Sequence, residues 1–516
     1  MKTRLIRLTR LTHPTRPTPV IHSARRGARP LARPLALPLA LPLLLALSAC
    51  AFAPDSKPPA MASPSQYGVE PTPAQGAAAQ GVAQRFEQGA RPVPEWWKRY
   101  GSDALNALVQ EGLANSPNLA AAERNLAGAR EQLRAQVNSS LLPSVDAGAS
   151  ATRNRALTMP NLPQPTALYN VFTGQVQASY DLDLFGAARF ANASLAAQVE
   201  QQAFQLESAR RSLAGNIVTG AIRSASLAER VALTEKQVVL LRQVARDTQR
   251  RYELGSASQN DALDADQDAA TLEASLPGLR AQWQATRHAL AVLLGRSPDQ
   301  APDDLAFSTL AVPPQVPVVV PSDLLASRPD ILVADAVVQA AAADVGVATA
   351  QLFPSLSLSA SMGKGGFSWP STLSGAGSIW AIGASLTQPI FHGGALLAER
   401  RAAKERYEAS VLQYKQTVLT AFQDVADTLA RLDADGQALA SAEASRRAAE
   451  QSYRNTASRV RLGALAPYTE FAAEEHYVAA RLRELEYANA RLTETAALFQ
   501  AMGSPARAPE MAAQAP

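Results

Sequence analysis

The chain has 516 residues, of which 47% are hydrophobic, 18% charged and 6% aromatic, a balance that suits long helices better than disorder. Its net charge of +4 rests on residues 1–49, where Lys2 and eight arginines stand without an acid. A chain processed after that segment is mildly acidic and lacks the basic footprint of a nucleic-acid binder. The only cysteine, Cys50, leaves no disulfide or cysteine-based metal site within the chain, and the five scattered histidines have no metal-ligand spacing.

Residues 1–49 predict a signal peptide. A basic region leads into the apolar run Leu35–Leu47, which holds Pro38 and Pro42 and is too short to span a bilayer. Residues 50–92 are rich in Ala, Pro, Gln and Ser without periodicity and predict a flexible tether. Order is expected from Val93. Trp96-Trp97 is either a docking surface or, the preferred reading, a pair packed into a groove.

The first unit covers residues 93–295. Its opening helix is expected to start with Asp103 as N-cap, to break at Pro117 and to resume to about Asn138. Strands are predicted at about 142–152 and 171–184. In the latter, Phe172, Val176, Ala178, Tyr180 and Leu182 alternate with Thr173, Gln175, Gln177, Ser179 and Asp181. Helices follow at about 187–252 and 258–294, the second carrying Pro277 as an expected kink. Between them Arg251, Leu254 and Gly255 mark a reversal, since glycine takes the left-handed conformation that ends a helix.

A proline-rich linker at 296–321 leads to a second unit, residues 322–503, with strands at about 353–363 and 378–390. Its helices are predicted at about 395–461 and 466–503, with 504–516 a disordered tail. A shift of 208 positions carries Arg251, Leu254, Gly255 and Gly295 onto Arg459, Leu462, Gly463 and Gly503. Asn115-Ser116-Pro117-Asn118 answers to Ser327-Arg328-Pro329-Asp330, Pro143-Ser144 to Pro354-Ser355, and Phe185-Gly186 to Phe391-His392-Gly393. Such anchors in one order mean a duplicated unit. In the second long helix Val411, Val418, Val425 and Leu432 recur every seven residues, as do Leu412, Leu419 and Ala426, and also Tyr407, Tyr414 and Ala421. Adjacent heptad rows indicate neighbours on both sides, in a tube of helices or a solid bundle.

Strands of about ten residues with one apolar side fit either a soluble sheet with one wet face or a tilted membrane crossing. The small, neutral polar faces and the aromatics Phe185, Phe391 and Trp380, placed as a membrane girdle, favour the crossing. Four strands cannot close a barrel, and an open edge in lipid costs several kcal/mol for each unpaired backbone group. A crossing therefore calls for several chains in one ring.

The chain resembles the TolC/OprM-like outer membrane factors, in their lipoprotein (NodT-type) branch of RND efflux channels. The residues that carry the resemblance are Leu47-Ser48-Ala49-Cys50, Pro94-Glu95-Trp96-Trp97, Asn115 to Leu119, Asp181 to Gly186, Gln388 to Gly394 and the two Arg-x-x-Leu-Gly reversals. It implies an α+β membrane protein, a homotrimer whose 12-stranded β-barrel continues into a 12-helix α-barrel. It implies a lipid anchor on Cys50 at the outer membrane and no cofactor besides that lipid. A periplasmic adaptor and an inner-membrane pump of the RND type would be its partners, and it would be a passive export duct rather than an enzyme. A non-pore coiled-coil lipoprotein scaffold, or the outer membrane component of type I protein secretion, stands as the alternative.

The resemblance also places the adaptor contacts at the tips, Arg251, Leu254, Gly255, Arg459, Leu462 and Gly463. A periplasmic gate would use Asp261 and Asp264 in the first copy and Glu470 and Glu474 in the second. The second copy departs from the pattern with Thr469 and Ala472 where the first has Asp261 and Asp264. The competing reading of these carboxylates is an acidic turn that favours the start of the returning helix.

Overall fold

The computed structural model describes residues 52–61, 64–69, 74–90, 93–157, 166–374 and 377–503. Cys50, the signal segment and the tail lie outside them. Strand β1 (Arg85–Gln88) is followed by helices α1 (Asp103–Asn115) and α2 (Pro117–Leu141), strands β2 (Ser144–Leu157) and β3 (Thr166–Leu182), and helices α3 (Ala187–Glu253) and α4 (Gln259–Leu293). Strand β4 (Gln315–Val318) opens the second round. Helices α5 (Pro321–Ser327) and α6 (Pro329–Ala350) follow, then β5 (Ser355–Gly366), the short α7 (Trp369–Leu373), β6 (Ser378–Thr387), α8 (Ala395–Arg461) and α9 (Tyr468–Ala501).

The duplication extends to backbone angles. Helices α3 and α8 are each 67 residues long, which at 1.5 Å per residue is ~100 Å. Each starts after a left-handed glycine, Gly186 (φ +83°) and Gly394 (φ +82°), and each is followed by another, Gly255 and Gly463, both at φ +73°. The shorter columns are cut at the same place in both copies. Pro117 and Pro329 open α2 and α6 at a position where the missing N–H costs nothing. Gly295 and Gly503 close α4 and α9 so tightly that a Cβ would stand 2.5 Å from the Asn115 carbonyl and 2.4 Å from that of Ser327. The end of α4 therefore meets the start of α2, and the end of α9 meets the start of α6. Each half holds one unbroken helical column and one made of two pieces.

These columns lie side by side. Helix α3 packs against α2 and α4 on one side and against α6 and α9 on the other, and α8 packs against α6 and α9. The heptad rows of α8 divide accordingly. Val418, Val425 and Leu432 are buried, as are Tyr414 and Ala421, whereas Leu412 and Leu419 are 64% and 55% exposed. Helix α6 is the one described helix long and apolar enough to cross a membrane. It has a different reason to be apolar all round, because it lies between α3 and α8 with Ile331, Val338 and Val345 buried.

The structure departs from the sequence expectation at the tether and at the first helix cap. The stretch read as a free tether is partly built in: β1 pairs in parallel with β4 of the proline-rich linker, and the Tyr67 hydroxyl donates to the Val319 carbonyl at 2.6 Å. Nearby, Arg491 is only 1% exposed and donates to the Ala79 and Val82 carbonyls and to Gln84 Oε1 at 3.0–3.1 Å. Composition had suggested looseness, but one buried guanidinium recruits three acceptors from this strap. Burial pulls its pKa below the usual arginine value. The first helix is also capped differently. Ser102, not Asp103, is the N-cap, its hydroxyl accepting from the Leu105 N–H at 3.3 Å. Trp96 and Trp97 are buried, with Trp96 stacked 5.3 Å from Phe499, and α4 runs through Pro277 as one helix.

Strands β2, β3, β5 and β6 form one antiparallel sheet in that order. The register places Val145, Ala147, Ala149 and Ala151 beside the even-numbered residues of β3, β5 and β6, and Ser144, Asp146 and Ser150 beside the odd-numbered ones. Alternation within single strands thereby becomes two continuous faces across four.

Candidate functional site

One face of the sheet is apolar and unpartnered within the chain. Val145, Met362, Trp380, Ile382 and Leu386 all lie on it, each about two thirds exposed or more. The opposite face carries Thr173, Gln175, Gln177, Ser179 and the serines 355, 357, 359 and 361. Its hydroxyls pair across strands, Ser144 with Ser179 and Ser150 with Thr173, both at 2.7 Å. Only Gly fits at 363, where a Cβ would lie 2.2 Å from the Gly174 carbonyl. Strands β2 and β6 are the sheet's two edges, each paired on one side only.

The expected girdle residues are not equivalent. Phe391 is 85% exposed beyond the end of β6, but Phe185 stacks on Phe353 at 5.0 Å with Phe52 beside them. Trp380 lies on the apolar face opposite Met362, two residues from the start of β6. A second aromatic level was missed by sequence reasoning: Trp369 lies 4.9 Å from Phe172, and Phe367 lies 5.9 Å from Tyr169. Both pairs join residues distant in sequence, so only the strand register reveals them.

At the other end of the long helices, both reversals are Schellman caps. The Gly255 N–H donates to the Tyr252 carbonyl at 2.9 Å and the Ser256 N–H to that of Arg251 at 2.7 Å. Gly463 to Val460 and Ala464 to Arg459, both at 2.9 Å, repeat the pattern. This motif requires glycine, and the backbone of the arginine, but nothing of the leucine. Leu254 and Leu462 are nevertheless 77% and 84% exposed. Arg459 is exposed, whereas Arg251 is half-buried, its guanidinium 4.5 Å from the centre of the Tyr468 ring.

The proposed gate carboxylates separate into distinct roles. Asp261 closes a capping box on α4: it accepts from the Ser258 N–H at 3.0 Å while its own N–H donates to the Ser258 hydroxyl at 3.1 Å. Those bonds, with Arg251 nearby, hold its pKa below the usual aspartate range. Glu474 pairs with Lys236 at 2.6 Å, joining α9 to α3, and Gln237 donates to Glu475 at 2.6 Å alongside. Glu470 is half-buried, and Asp264 is exposed and makes no ion pair among the described residues. Of the four carboxylates, Asp264 alone is both exposed and unengaged. Tyr468 and Lys236, which tie the two hairpins together, were not singled out by sequence, because each acts through a partner more than 200 positions away.

Comparison with known proteins agrees with this geometry. The family model described as "Outer membrane efflux protein" matches twice, over residues 108–296 and 320–504, which are the two structural copies. Among relatives, the pyoverdine export outer membrane protein OpmQ of Pseudomonas aeruginosa PAO1 is 28% identical over 89% of this chain and 94% of its own length. The probable efflux pump outer membrane protein TtgC of Pseudomonas putida KT2440 is 30% identical over 89% and 93%. Nodulation protein T of Rhizobium leguminosarum bv. trifolii is 26% identical over 81% and 86%. The outer-membrane channel OprN superposes with a TM-score of 0.73 at 26% identity, covering 87% of this chain and 99% of that one. With an unclosed sheet at one end, paired helix reversals at the other and both halves matched, this chain belongs to the outer membrane efflux protein family.

Proposed function

We propose that three copies of the chain close into one duct across the outer membrane and periplasm, joining their β2 and β6 edges into a twelve-stranded barrel. The observation that carries this is the exposed apolar face on a sheet with two free edges. Lipid can cover the face, but only another strand can satisfy the edges. Two copies would give eight strands, a barrel whose interior side chains fill. Three give a lumen, lined here largely by serine, threonine, glutamine and glycine, with Asp146 and Asp181 at its helix end. The helical columns support the same ring, because Leu412 and Leu419 on α8 are left 64% and 55% exposed within one chain. They suit the α2–α4 side of an adjacent copy.

The duct is passive and draws its energy from partners. Leu254 and Leu462, surplus to the caps they sit in, are the apolar contacts offered to a periplasmic adaptor, and that adaptor connects to an inner-membrane pump of the RND type. The names of OpmQ and the TtgC proteins, which refer to pyoverdine export and toluene efflux, support small molecules over proteins as cargo. Cys50, in Leu-Ser-Ala-Cys, carries the lipid anchor. Purified protein in a planar bilayer should give discrete single-channel steps, whereas a pore-less scaffold gives none. Incorporation of labelled palmitate, lost in Cys50→Ala, tests the anchor.

A further inference from the structure

Charge in the sheet is sorted by face and by end. Across both strand–loop–strand segments, residues 147–179 and 355–387, the only charged side chains are Arg153, Arg155 and Lys364. In the register Arg153 pairs with Asn170, Arg155 with Leu168 and Lys364 with Gly174, so all three share the face of Val145 and Met362. They stand at the end away from the long helices. The acids within the four strands, Asp146 and Asp181, are on the opposite face at the opposite end. All three cations are exposed and none makes an ion pair among the described residues. Arg155 Nε donates to Thr166 Oγ1 at 3.3 Å, and Lys364 Nζ donates to the Leu373 carbonyl at 3.1 Å.

That lysine contact ties helix α7 to the same face. A Cβ on Gly366 would meet Ser371 Oγ at 2.6 Å and the Thr372 nitrogen at 2.8 Å, so only glycine lets the helix lie this close. Trp369 rests on Phe172, and Trp369 and Leu373, one turn apart, remain 60% and 70% exposed. Height is consistent with a rim. Lys364 lies eight residues along β5 from Leu356, ~26 Å of strand, or ~20 Å along the membrane normal at a tilt of ~40°. A hydrocarbon band is ~25 Å tall, so Lys364 lies in its upper part, from which its flexible stem reaches the headgroups. Arg153 and Arg155, paired with Asn170 and Leu168 farther along β3 than Gly174, stand beyond it.

We propose that this rim holds phosphate-bearing lipids of the outer leaflet, with Trp369 and Leu373 among the acyl chains and Arg153, Arg155 and Lys364 on the headgroup phosphates. The occupant follows from charge complementarity. Three cations without acids border a lipid-facing surface, and guanidinium matches phosphate geometry. The proposal rests on the barrel described above.

The test counts lipids retained by the full chain in neutral detergent, using native mass spectrometry with lipid A and with its dephosphorylated form. The phosphorylated form should be retained preferentially, and each cation neutralised in Arg153→Gln, Arg155→Gln and Lys364→Gln should weaken retention about fivefold. Lys404→Gln on α8 should leave it unchanged. Equal retention of both lipids, undiminished retention by the triple variant, or displacement by inorganic phosphate would overturn the proposal. Failure of the unmodified chain to enter phosphatidylcholine vesicles overturns the barrel and the rim together, whereas entry without phosphate preference overturns the rim alone.

Discussion

The guanidinium of Arg251, at the first helix reversal, stands 4.5 Å from the ring centre of Tyr468, at the start of the second returning helix. The contact joins the two hairpin tips of one chain, and Lys236–Glu474 and Gln237–Glu475 repeat the connection farther along the same helices. If the tips define the periplasmic mouth, this contact restrains its opening. Arg251→Ala or Tyr468→Ala should remove about 0.5–1 kcal/mol and raise single-channel conductance, with Arg251→Lys intermediate. Unaltered conductance in both alanine variants would separate the contact from gating.

The exposed leucines at the tips make a contrasting prediction. Leu254→Asp and Leu462→Asp touch no packed group, so melting should shift by no more than about 0.5 kcal/mol. Efflux in cells and cross-linking to the adaptor should nevertheless fall sharply. Loss of folding would mean that the leucines serve the cap, contrary to the Schellman geometry.

Gly295 and Gly503 should tolerate no side chain. Each combines a left-handed backbone with a carbonyl within 2.5 Å of the added Cβ. Either alanine variant should cost about 1–3 kcal/mol by thermal unfolding. Gly128, helical and with nothing near its Cβ position, provides the comparison: Gly128→Ala should be stabilising by up to about 1 kcal/mol.

Acid should loosen the first tip. The native pKa of Asp261 lies below its unfolded value because the Ser258 N–H bonds to the carboxylate. Its contribution is therefore present above the unfolded value, about pH 4, and is lost as pH falls through the native one. Hydrogen exchange at the start of α4 should quicken below about pH 4, and in Asp261→Asn this pH dependence should vanish. The start of α9, where Pro467 supplies no side-chain cap, should not share it.

Much of this architecture is legible in the sequence, for reasons that can be named. The absence of proline from 187 to 253 and from 395 to 461 permits the long helices, and glycines at equivalent positions end them. Period-two alternation gives the strands and their two faces, but not the register that pairs Phe172 with Gly366 or Met362 with Trp380. The strap was illegible because its order comes from elsewhere: Ala79, Val82 and Gln84 are held by Arg491, some 400 positions distant. The carboxylates misled in another way. Asp261 and Glu474 look alike in sequence, but a neighbouring serine engages one and a lysine on a different helix engages the other.

Ring closure is tested most directly by the mass of the detergent-solubilised particle, measured for the unmodified chain and for Leu412→Asp/Leu419→Asp. Three copies are predicted for the former, with dissociation in the latter. A monomer that stays in solution without detergent would contradict the account, since a single four-stranded sheet would then have found another way to cover its face and edges.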